Sequence, residues 1–202
     1  MKIVVMVEGK TEDAFKTHLI AFLKARLSGR MPKLQFDRFE GRIPKQDHLK
    51  RRVALYLNER PIPAGHVVAL TDVYTGTPDF QTADNAKRKM REWVGDDPRF
   101  HPHAAQYDFE AWLLPFWDEI QRLTGSNRSS PGPRPELVNH QNPPSKRIEE
   151  VFRTGSGRRY VKARDGLRIL SGQNLLVSAN ACPELKALLN TLLEISGGEQ
   201  IP

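Results

Sequence analysis

The opening residues constrain the fold more than any other stretch. Lys2–Val7 is an unbroken, largely β-branched apolar run that stops at Glu8-Gly9-Lys10-Thr11. Such a run suits a strand buried on both faces, the situation of a central strand in a parallel sheet. It is too short for a signal peptide, and no small-residue cleavage site follows it. Thr11 is placed to cap a helix, and Glu12 and Asp13 in the first turn suit the helix dipole. Phe15, Leu19, Phe22, Leu23 and Leu27 then recur at helical spacing until Ser28-Gly29 interrupts them.

The same strand-then-helix alternation continues. Lys33–Phe39 reads as a second strand and Asp47–Asn58 as a helix ended by Pro61 and Pro63. His66–Leu70 reads as a third strand, Thr82–Val94 as a basic helix and Arg99–Gln106 as a short fourth strand. Asp108-Phe109-Glu110 opens a helical pattern through Trp112, Leu113, Phe116 and Ile120, which Pro115 should kink or divide. The alternation predicts an α/β fold, a Rossmann-like parallel sheet of about four strands flanked by helices. Gly125–Pro144 is rich in proline and poor in large apolar residues, so it reads as an exposed loop. Helical pieces follow at Ser145–Phe152, Ala163–Leu170 and Pro183–Ile195. The expected organisation is a core over residues 1–123, a loop over 124–144 and a helical extension over 145–202 packed on the core.

Composition narrows the function classes. The 31 Lys+Arg and 24 Asp+Glu give a net charge of +7, which suggests a polyanionic partner such as nucleic acid. The positive charge clusters at Lys50-Arg51-Arg52, Lys87-Arg88-Lys89, Lys146-Arg147 and Arg158-Arg159 with Lys162 and Arg164. Aromatic residues do not interleave with these clusters, so a single-strand stacking platform is not indicated. The single cysteine, Cys182, excludes an internal disulfide framework and a cysteine-based zinc site. A cytoplasmic, non-membrane protein is expected.

Acidic residues fall at one recurrent place. Glu8 follows the first strand, Asp72 ends the third, and Asp108 and Glu110 follow the fourth. In an open parallel sheet the carboxyl ends of the strands form the ligand-binding rim. Carboxylates gathered there repel one another unless a cation neutralises them, and an all-oxygen set suits Mg²⁺ or Mn²⁺. The alternative is that each acid caps a following helix, most plausible for Asp108. Gly9-Lys10-Thr11 is not a phosphate loop, because the required first glycine is replaced by Val4 inside the strand. Ser145 has no visible His and Asp partners for a triad. His101 and His103 would share a face of their strand, but with no third nitrogen ligand nearby they read as surface residues.

Val7-Glu8-Gly9-Lys10-Thr11-Glu12 resembles the first motif of Toprim domains, which occur in topoisomerases, primases and small nucleases. A closer resemblance is to an uncharacterised Toprim-like family, domain-of-unknown-function family 4276. It is carried by Val7–Glu12, Thr71-Asp72-Val73-Tyr74, Tyr107–Leu114, Pro144–Arg147 and Tyr160-Val161-Lys162, in that order. The resemblance implies a Toprim-like core and a divalent-metal site. Glu8 matches the Toprim glutamate and Asp72 the first aspartate of the Asp-x-Asp motif, while Tyr74 stands at the second aspartate position. Asp108 or Glu110 would then supply the missing oxygen ligand, and Lys162 would stabilise charge.

The expected activity is a metal-dependent phosphodiesterase, with Glu8, Asp72, Glu110 and Lys162 catalytic. Glu8, Asp72, Asp108 and Glu110 would hold Mg²⁺ or Mn²⁺. Lys10, Tyr74, Lys87, Arg88, Lys146, Arg147 and Lys162 would contact nucleic acid. The alternative expectation is a non-catalytic subunit that binds nucleic acid or accompanies an ATPase in genome defence or repair.

Overall fold

A computed structural model describes residues 1–39, 41–74, 78–138 and 143–202, the side chains of 10–14 excepted. Four strands, β1 (Lys2–Val7), β2 (Lys33–Arg38), β3 (His66–Asp72) and β4 (Phe100–Ala105), form one sheet in the order β2-β1-β3-β4. Every pairing is parallel, with Met6 beside both Asp37 and Ala69, and Asp72 beside Ala105. The α/β expectation holds. β1 is buried along its whole length, as its continuous apolar run requires.

Helices α1 (Lys10–Arg26), α2 (Gln46–Asn58) and α3 (Ala83–Val94) connect successive strands. Helix α1 begins one residue before Thr11, with Gly9 in extended conformation at its cap and no side-chain capping bond. After β4, Pro115 divides the chain as expected: a 3-10 helix, Phe109–Phe116, runs into α4 (Trp117–Thr124). Then follow α5 (Pro144–Gly155), α6 (Lys162–Leu170), α7 (Leu175–Ala181) and α8 (Pro183–Ile195).

Strand alternation divides the core into two clusters. Val4, Met6, Val67, Ala69, Val73 and Ala104 pack against α2 and α3. Ile3, Val5, Val7, Val68, Leu70 and Ala105 pack on the other face with Phe15, Leu19, Phe22, Trp112, Leu113 and Phe116. Ile148, Phe152, Ile169 and Leu188 join that second cluster, so the C-terminal helices complete the covering of this sheet face.

The stretch 124–144 is not wholly exposed, contrary to expectation. Pro135, Glu136 and Val138 are buried. Glu136 accepts hydrogen bonds from the Trp112 indole at 2.9 Å and from the Glu184 N–H at the start of α8 at 3.1 and 3.2 Å. A buried carboxylate needs such donors, and the segment folds inward to supply α8 with a cap that Cys182, its own cap residue, does not provide.

Candidate functional site

The sheet parity settles which acids can meet. Asp72 follows the parity of Leu70 and leaves β3 on the face covered by α1, α5 and α6, whereas Thr71 follows Ala69 and Val73. Glu8 follows Met6, and the Thr71 hydroxyl donates to the Glu8 carboxylate. Glu8 is 7% exposed and lies with Arg42, Ile43, Lys45 and Phe80. Arg42 and Lys45 both pair with Asp79. Glu8 and Asp72 therefore share a rim but belong to opposite faces of the sheet.

On the Asp72 face a second group forms around Lys162, the first residue of α6. The Lys162 ammonium is 3.1 and 3.2 Å from the two carboxylate oxygens of Glu110, a side chain with no exposed surface. Burial would lower the Lys162 pKa, but Glu110, Asp72 and Asp108 together outweigh it and raise it above the ordinary lysine value. The structure thus brings Asp72, Asp108, Glu110 and Lys162 together, with the lysine held as a cation.

Asp108 is 3% exposed. One oxygen accepts the Ser145 N–H at 3.1 Å, so the carboxylate caps α5. Its other oxygen, Oδ1, is buried without a hydrogen-bond partner. Burial raises the Asp108 pKa, against the Ser145 bond and the Lys162 charge. The preceding residue, Tyr107, has φ +70°, costly for a bulky side chain. Its carbonyl accepts the Tyr74 N–H, tying the ends of β3 and β4 together where the chain turns Asp108 inward. Tyr160 has a buried hydroxyl near Glu110, Asp165 and Asp108, and burial together with those charges pushes its pKa well above the ordinary value.

Sequence reasoning missed Asp165. It is fully buried and accepts from Arg158 at 2.7 and 3.0 Å, from Arg164 at 3.1 and 3.2 Å, and from the Val161 N–H at 2.8 Å. Burial opposes its ionisation, yet the two guanidiniums hold its pKa to about 2. The reach back to Val161 closes the first turn of α6 and fixes Tyr160 and Lys162 on either side of that N–H. Arginines flanking an aspartate near a helix start were the available signal.

Among the described residues, no three His, Cys, Asp or Glu side chains are set as a metal cage. The donor chemistry of Asp72, Asp108 and Glu110 nevertheless suits a hard cation, and the unpartnered Asp108 Oδ1 is an oxygen that such an ion would satisfy. Mg²⁺ often takes only one or two carboxylates, with water and substrate phosphate completing the shell. That is the form of ligation this set fits.

The expected nucleic-acid contacts are scattered. Lys87 pairs with Asp84 and Glu184, Arg88 with Glu92 and Lys146 with Glu149, each at 2.7 to 2.9 Å. Tyr74 is 56% exposed, and the Arg147 Nε is buried without a partner. The Lys10 side chain lies outside the described residues.

The family described as a domain of unknown function (DUF4276) matches residues 7–193. The chain belongs to that family. The match spans every motif that carried the resemblance to an uncharacterised Toprim-like family. Among solved structures, the chain is similar to the C-terminal region of the Burkholderia pseudomallei OLD protein, at 12% identity and a TM-score of 0.51. The likeness covers 96% of this chain and 98% of that one, and at this identity it is a likeness of fold. No curated protein matches the chain in sequence.

Proposed function

We propose that this chain hydrolyses phosphodiester bonds of nucleic acid at the β3–β4 rim, with Mg²⁺ or Mn²⁺ as cofactor. The observation that carries the proposal is the gathering of Asp72, Asp108 and Glu110 around the Lys162 ammonium at the carboxyl end of the sheet. Asp72 and Asp108, with Glu110 beside them, would hold the ion. When bound, it supplies polarisation of a phosphoryl oxygen and a water of lowered pKa. Lys162 binds a non-bridging phosphate oxygen through donors not spent on Glu110. The Tyr160 hydroxyl, buried beside Glu110 and Asp108, holds those carboxylates in place. Glu8, held by Thr71 next to Asp72, positions the rim from the other face. Lys87, Arg88, Lys146 and Arg147 steer the backbone, with little base specificity.

The test is cleavage of labelled DNA and RNA in Mg²⁺ or Mn²⁺. Asp72→Asn and Lys162→Met are expected to lose at least about 100-fold in rate, the scale of removing one preorganised charge. Unchanged cleavage in both would overturn these roles.

A second reading is an accessory subunit that binds nucleic acid or accompanies an ATPase in defence or repair. Tyr74 at the second Toprim aspartate position and the ion pair between Lys162 and Glu110 favour it. It predicts salt-dependent binding without turnover.

A further inference from the structure

At the end of the sheet away from the acidic rim, β3 begins with His66, and β4 carries His101 and His103. Val68 lies opposite His101 and Leu70 opposite His103. Alternation therefore puts all three imidazoles on one sheet face, that of Val68, Leu70 and Ala105. His66 Nδ1 and His101 Nε2 are 3.0 Å apart, with ring centroids 5.1 Å apart. Both rings are half-buried, and β4 is an edge strand, so a small ion can approach them.

We propose that His66 and His101 form a chelating pair for a borderline divalent transition metal, such as Zn²⁺, Ni²⁺ or Cu²⁺, separate from the rim. Metal–imidazole bonds are about 2.0–2.1 Å long. Two of them at 90° to 109° span roughly 2.9–3.4 Å between nitrogens, so the observed separation matches the bite once the two rings turn about their side-chain torsions to aim at one ion. Imidazole suits these metals better than Mg²⁺.

The ligating form is the neutral ring. Burial lowers the pKa of both histidines, reinforced by Arg99 at His66, and by His66 and Arg91 at His101. In the metal-free pair one ring donates its N–H to the other. On binding, that proton moves through solvent to the outer nitrogen of its own ring, so both inner lone pairs face the ion and no net proton is released. Asp97 and Glu194 act on His101 as nearby negative charges and offset the charge of the ion. Among the described residues no third ligand is already in place, so water completes the shell. His103 is 6% exposed and is not a member.

The test is Zn²⁺ titration of tag-free protein by calorimetry. The expected result is saturable binding in which one ion per chain is lost in His66→Gln and in His101→Gln, and that ion is retained in His103→Gln and Asp72→Asn. Cu²⁺ bound to the wild-type protein should show electron paramagnetic resonance coupling to two imidazole nitrogens, a readout that does not depend on variants folding. No saturable Zn²⁺, equal binding in both pair variants, or a copper spectrum without two nitrogens would overturn the proposal.

Discussion

Lowering the pH from 7 to 4.5 should remove most of the stability that the buried, neutral His103 contributes. The ring is buried, and burial, with Lys87, His101 and Arg91 nearby, lowers its pKa from 6.5 to about 3. In the unfolded chain it titrates near 6.5. Between those two values the unfolded state binds the extra proton. A histidine with a depressed folded pKa therefore contributes stability that is present above about 6.5 and is lost as the pH falls towards 3. Integrating that linkage between pH 7 and 4.5 gives a loss of about 2.5 kcal/mol from this one group. A unit of change in the folded pKa alters the result only slightly, because pH 4.5 stays above it. His66 and His101 push in the same direction, so the measurement must isolate His103. Urea denaturation at half-unit pH steps, for wild type and His103→Gln, does so. The substitution will cost stability at every pH, and only the difference in slope matters. The variant should lose about 2.5 kcal/mol less over the same range. Parallel curves would refute the reasoning and show the ring to be hydrated or paired in the folded state.

Other expectations follow from single contacts. Asp165→Asn should destabilise by about 3 kcal/mol, because it breaks a buried pair and leaves the Arg158 guanidinium without its carboxylate; thermal melts measure it, and a change under about 0.5 kcal/mol would contradict the clamp. Glu136→Ala should cost about 2 kcal/mol through the lost Trp112 and α8 bonds, with no effect on cleavage beyond that of stability. Lys162→Met should cost only about 1 kcal/mol, since the lysine is half-exposed, while removing most activity; a larger stability loss with activity intact would make the ion pair structural. Nucleic-acid affinity should fall linearly on logarithmic axes with salt, and Lys146→Ala should make that slope shallower.

Much of the fold was legible because the pattern is redundant. The continuous run of β1, the alternating elements and Pro115 each point to the same α/β sheet, and local preference agrees with burial. Helix α7 was missed because its seven residues, LLVSANA, show no usable helical period. The buried Glu136 was missed because a proline-rich composition says nothing of one acid that caps a distant helix. At the site, the convergence of Asp72, Asp108 and Glu110 could be expected from strand ends alone. The separation of Glu8 by face was readable from parity, since Met6 and Glu8 alternate with Val7. The closeness of His66 to His101 was not readable, because it depends on the β3–β4 register, which no residue pattern in either strand announces.

The most direct measurement is an anomalous difference map from crystals soaked in Mn²⁺ with a short oligonucleotide. A peak in contact with Asp72 and Asp108 is expected, with a phosphate oxygen on the ion and Lys162 turned towards the same phosphate. Ordered nucleic acid bound elsewhere, with no peak at those carboxylates, would contradict it.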